Sequence, residues 1–80
     1  MNALSLTEYL VKSVVKNPDM VSVKEFEENN ELIIEIMVDN EDMSLVIGKR
    51  GTIIESIRTI VKASSYVNNG PKVKINIDSI

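Results

Sequence analysis

The sequence predicts an α+β fold in the order α-β-β-α-α-β, a three-stranded mixed sheet with three helices on one face. Three observations carry that expectation. The stretch that begins at Ser5 repeats its apolar residues at helical spacing, and two alternating runs meet at Asn29-Asn30. Between the second of those runs and a third, Lys72 to Asp78, lie two helical patterns parted by the short segment Gly48-Lys49-Arg50-Gly51.

Ser5 and Glu8 fit the S-x-x-E capping box, so the first helix is expected to start there. Leu6, Leu10 and Val14 form its apolar stripe, widened by Val11 and Val15, and Asn17-Pro18 is expected to end it, because the residue before proline is pushed out of the α region. From Met20 to Glu27 the spacing becomes that of a strand, with Val21 and Val23 on one face. Asn29-Asn30 reads as a tight turn, since asparagine tolerates positive φ.

Glu31 to Val38 is the most apolar strand and is expected at the centre of the sheet. With Asn29-Asn30 as the turn residues, Phe26 pairs with Ile33, Lys24 with Glu35 and Val23 with Ile36, while Glu25 falls opposite Ile34 on the apolar face. Asp39 or Asn40 can cap the next helix, with Glu41 and Asp42 against the positive end of its dipole. Met43, Val46 and Ile47 bury one side of it, and Gly48 stops it.

Thr52 to Val67 is a long amphipathic helix with Ile53, Ile54, Ile57, Ile60, Val61 and Ser64 as its inner stripe. Asn68-Asn69-Gly70-Pro71 breaks it before the last strand. A right-handed crossover makes that strand parallel to the second.

At 80 residues the chain predicts a single domain over residues 1–80. It has no cysteine and no histidine, which excludes disulfides, Cys/His zinc sites and His-dependent catalysis. An enzyme is the weakest reading, because no acid/base or metal constellation converges and Glu41-Asp42 is explained by capping. No cofactor is expected. The amino terminus lacks a basic and then apolar leader, so a cytoplasmic protein is expected. Net charge is −3, which confines any contact with nucleic acid to a local patch. Gly48-Lys49-Arg50-Gly51, between two helices, suggests a backbone grip on phosphate; the P-loop spacing G-x-x-x-x-G-K-[ST] is absent.

Val46-Ile47-Gly48-Lys49-Arg50-Gly51, followed by Ile54 and Ile57, resembles the V-I-G-x-x-G-x-x-I-x-x-I signature of KH RNA-binding domains. The element order is similar to the type II, bacterial arrangement. With Pro18-Asp19, Glu41-Asp42-Met43 and Ile57 to Ala63 added, the chain most resembles the bacterial stand-alone KH domain protein A family. That resemblance implies a small, non-catalytic single-stranded RNA-binding protein, an RNA chaperone or post-transcriptional regulator, linked in some bacteria to cell shape. It also implies a homodimer, or a heterodimer with a larger KH-containing RNA-binding protein.

On the same resemblance, Gly48, Lys49, Arg50 and Gly51 clamp the phosphate backbone of about four nucleotides. Ile47 and Ile54, with parts of Val46 and Ile57, line a groove for bases, and Arg58, then Lys62, continue a cationic track. Glu55 departs from the motif, where many KH domains carry Lys or Arg, and thins that track. Two plainer readings stand beside these: the glycines can be simple caps, and isoleucines at helical spacing are usually core. A protein-interaction subunit with little RNA affinity of its own is the alternative function.

Overall fold

The computed structural model describes residues 1–80, and its architecture follows from β2 (Glu31–Val38). Ile34, Ile36 and Val38 of this strand are fully buried, and only a strand with neighbours on both edges and a covered face can bury such a run. β1 (Ser22–Glu28) lies antiparallel along one edge of β2, and β3 (Lys72–Ser79) lies parallel along the other. Asn29 and Asn30 both take positive φ, 53° and 66°, as a two-residue hairpin turn requires. The register is the expected one, with Phe26 against Ile33, Lys24 against Glu35 and Val23 against Ile36.

Glu25 does stand opposite Ile34. The conflict resolves because β1 is an edge strand exposed from Lys24 onward, so Glu25 reaches water while Ile34 stays covered. On the face away from the helices, Ile33 is only 7% exposed, flanked in register by Phe26 and Lys74.

The helices α1 (Ala3–Lys12), α2 (Met43–Ile47) and α3 (Thr52–Val67) supply the rest of the core: Val11, Val46, Ile54, Ile57 and Val61 meet Ile34, Ile36, Val38, Val73 and Ile75. No helix is long and apolar enough to cross a membrane.

Both ends of α1 differ from expectation. Asn2 is the N-cap, its Oδ1 accepting the Ser5 N–H at 2.8 Å, and Glu8 instead pairs with Lys12 at 3.7 Å. At the other end the helix stops at Lys12, not at Asn17. Ser13 Oγ donates to the Tyr9 carbonyl, and the following residues leave the helix to bring the Lys16 and Asn17 N–H groups onto Asp42.

The inner stripe of α3 is narrower than expected. Ile54, Ile57 and Val61 are buried, whereas Ile53 and Ile60 are exposed, because each residue turns the helix by about 100° and a single sheet covers only one arc. The helix ends in a Schellman arrangement: Asn69, at φ 57°, donates to Tyr66 O, and Gly70 N donates to Ser65 O at 2.7 Å.

Candidate nucleic-acid interface

Two short helical elements aim the Gly48–Gly51 segment. Asp39 accepts from the Glu41 N–H and opens the single 3-10 turn Asn40–Asp42, from which α2 continues. Asp42 was expected as a charge near the helix start. It is instead fully buried, and its two carboxylate oxygens accept the N–H groups of Lys16 (3.1 Å) and Asn17 (3.0 Å). It thus ties the root of α2 to the connection leaving α1, a contact between residues 26 positions apart.

α2 ends when the Gly48 N–H donates to Ser44 O. Gly48 then takes φ 77°, ψ 173°, a conformation essentially restricted to glycine. Arg50 (φ 57°) and Gly51 (φ 75°) both turn left-handed, and the Gly51 N–H closes onto Gly48 O at 3.1 Å. Thr52 Oγ1 donates to Lys49 O, which holds the loop to the first turn of α3. The Thr52 N–H in turn donates to Lys49 O, so the loop closes as a single tight turn into α3. The side chains of Lys49 and Arg50 are exposed, and neither makes an ion pair.

The two glycines serve different ends. A Cβ on Gly48 would lie 2.6 Å from Ile53 Cγ1 and 2.9 Å from the Ile53 backbone nitrogen, whereas one on Gly51 would meet nothing within 4 Å. Gly48 is therefore needed for packing and conformation, and Gly51 leaves open space at the start of α3. Gly48→Ala is expected to cost about 2–3 kcal/mol, and Gly51→Ala about 1 kcal/mol from its left-handed φ alone. Thermal unfolding checks this: about 10–20 °C lost for the first and about 5 °C for the second. Equal losses would contradict the assignment.

Of the other residues named from sequence, Ile47 is half-buried at the edge of the loop and presents apolar surface there. Ile54 and Ile57 turn into the core, and Val46 is fully buried. Arg58 is half-buried against β3. Its Nε and Nη2 donate to the Ile75 carbonyl at 3.2 and 3.0 Å, and Nη1 pairs with Glu55. Glu55 thus acts on Arg58, a pairing its i, i+3 spacing signals. Lys62 is exposed one turn further on. The roles of Asp42 and of the Arg58 contact to β3 were not legible in sequence, because both partners lie far along the chain.

Chemically, the loop offers a tight turn of three positive-φ residues, two free cations and an open approach at Gly51, features that suit an anion bound without a metal. Such contacts fix a phosphate and read no base.

Residues 5–77 match the family model described as KhpA/KhpB, KH domain. The chain is 47% identical over 60 residues to the RNA-binding protein KhpA of Caldanaerobacter subterraneus, covering 75% of this chain and 80% of that one. It is 43% identical over 72 residues to the KhpA of Clostridium perfringens, covering 90% and 95%. Among solved structures, Era of Aquifex aeolicus superposes with a TM-score of 0.68 at 22% identity, over 96% of this chain but only 29% of Era. That likeness establishes the type II fold. A further Era structure with the same score is a complex with a segment of 16S ribosomal RNA.

Proposed function

The chain belongs to the KhpA/KhpB KH-domain family, and from that premise we propose that it is a non-catalytic single-stranded RNA-binding protein whose Gly48–Gly51 loop clamps the phosphate backbone. One observation carries the reading: Gly48, Arg50 and Gly51 all take positive φ, which folds the loop into a tight turn beneath the exposed, unpaired side chains of Lys49 and Arg50. Phosphates rest on the loop, and the apolar flank of Ile47 lies beside the strand. The acidic balance of the whole chain, −3, makes the contact local and its affinity modest. The role that follows is that of an RNA chaperone or post-transcriptional regulator in the cytoplasm.

The test compares a fluorescently labelled single-stranded RNA with a duplex of the same sequence by anisotropy. The single strand is expected to bind at least about tenfold more tightly, because a loop-and-groove site takes splayed nucleotides. Equal binding of both, or none, contradicts the reading.

Pairing of two chains is part of the proposal. Ile53, Ile60 and Val67 recur every seventh residue along α3 and are exposed, Ile60 by 46%, with the small exposed residues Ser56 and Ala63 along one side of them. An apolar stripe flanked by small residues suits a second copy of the same helix, and two loops in one dimer add avidity that one short site lacks. Ile60→Glu is expected to convert a dimer to a monomer in sedimentation velocity without lowering the melting temperature of the fold; a variant that remains dimeric would move the interface elsewhere.

The same stripe favours a second reading, a subunit that works chiefly through a larger KH-containing protein. Failure of single-stranded RNA to bind in the anisotropy test is the outcome that selects it.

A further inference from the structure

Beyond Arg58, the outer face of α3 continues through Lys62 to Tyr66, three residues spaced four apart and therefore stacked along one side of the helix. Arg58 marks which side, since its guanidinium reaches over to the Ile75 carbonyl of β3. Further along, Lys62 and Tyr66 face the beginning of β3 across an open cleft of about 490 Å³, whose other wall is Pro71, Lys72 and Val73. α3 and β3 thus run in opposite directions, and Arg58 lies between the loop end of α3 and this cleft.

The cleft has the composition of a nucleotide site. Its apolar floor includes Val73, which is 3% exposed, and Pro71, while the Tyr66 ring is 85% exposed at its rim. An exposed tyrosine buries nothing in this chain, and no hydrogen bond restrains its hydroxyl. Lys62 and Lys72 line the cleft, no carboxylate does, and neither lysine is in an ion pair, although Glu31 stands beside Lys72 in the sheet register. In a chain of net charge −3, two free cations around an apolar slot with an aromatic rim are a local exception. Single-stranded nucleic acid is held by this combination: cations that track the backbone and an aromatic face on which a base stacks without regard to sequence.

Resting on the loop's reading as an RNA clamp, we propose that this cleft is a second nucleotide subsite, which takes the part of the same single strand that runs on from the loop. A base stacks on Tyr66, and Lys62 and Lys72 hold the flanking phosphates. Tyr66 lies about 22 Å along α3 from Gly51, at 1.5 Å per residue. The footprint is therefore longer than the roughly four nucleotides held at a G-x-x-G loop.

The test uses labelled, random-sequence single-stranded RNA of about four and about nine nucleotides, with anisotropy on the full chain. Tyr66→Ala is expected to weaken the longer RNA by roughly fivefold or more, leave the shorter one unchanged, and be rescued by Tyr66→Phe, which keeps the stacking face. Lys62→Gln with Lys72→Gln is expected to weaken the longer RNA and flatten its salt dependence. A Tyr66→Ala variant that melts as wild type and binds the longer RNA equally well overturns the subsite while leaving the loop in place. Binding that responds to Tyr66 but not to reversal of Lys49 and Arg50 upholds the cleft and overturns the loop. If neither RNA binds the wild-type chain, both fail together.

Discussion

Replacing Asp42 with alanine is expected to remove about 3 kcal/mol or more of stability, the largest loss predicted for any single polar side chain here. The carboxylate is fully buried and accepts two backbone N–H groups, from Lys16 and Asn17. Hydrogen bonds to a charged acceptor contribute about 1.5–3 kcal/mol each, and truncation leaves two donors without partners in a space that water reaches poorly. A domain of this size holds roughly 4–12 kcal/mol in total, so the variant should be near its unfolding threshold at ordinary temperature. Asp42→Asn, which keeps one acceptor oxygen but turns an NH₂ toward the second donor, should fall between the two. Urea unfolding gives the free energies, and hydrogen exchange at the Lys16 and Asn17 amides reports the contact itself. An alanine variant that unfolds at the wild-type midpoint would show that the anchor contributes nothing.

The consequence extends to the binding surface. Asp42 immediately precedes α2, and α2 delivers Gly48, so the anchor fixes where the loop begins. Rigid placement matters for the proposed clamp, because backbone N–H groups cannot adjust by changing rotamer.

Much of this was legible along the chain because the signals are local. Asn29-Asn30 specify a two-residue turn, and with period-2 strands on either side the whole register of β1 against β2 follows from that one turn. The limits of α3 follow equally directly, from Gly51 before it and Asn68-Asn69-Gly70 after it. What was hidden depends on distant partners. α1 has a helical pattern well past Lys12, yet it stops there because Asp42 draws the Lys16 and Asn17 amides out of the helix.

The candidate site divides in the same way. The glycines and the two cations between them announce themselves by spacing, and the structure adds the positive φ of Gly48, Arg50 and Gly51. The isoleucines do not announce their facing. Ile54 and Ile60 look alike in a stripe, but one packs against the sheet and the other faces water, a difference set by where the sheet ends. Arg58 reads as one more cation in sequence, yet its guanidinium is held between Glu55 and the Ile75 carbonyl, so it ties α3 to β3.

The central claim is that phosphate is held at Lys49 and Arg50, and the most direct measurement of it is the salt dependence of RNA binding in the Lys49→Asp, Arg50→Asp double variant. Both side chains are exposed and unpaired, so their reversal should leave the melting temperature within a few degrees of wild type. For a single strand, the logarithm of affinity falls against the logarithm of salt with a slope of about −0.7 per phosphate neutralised. With two or three phosphates engaged, the wild-type slope should lie near about −1.4 to −2. In the double variant, on an RNA of about four nucleotides that reaches only the loop, the account predicts a loss of roughly 10- to 100-fold at low salt, with the slope collapsing toward zero as the counterion-releasing contacts disappear. A folded double variant with wild-type affinity and an unchanged slope would contradict it.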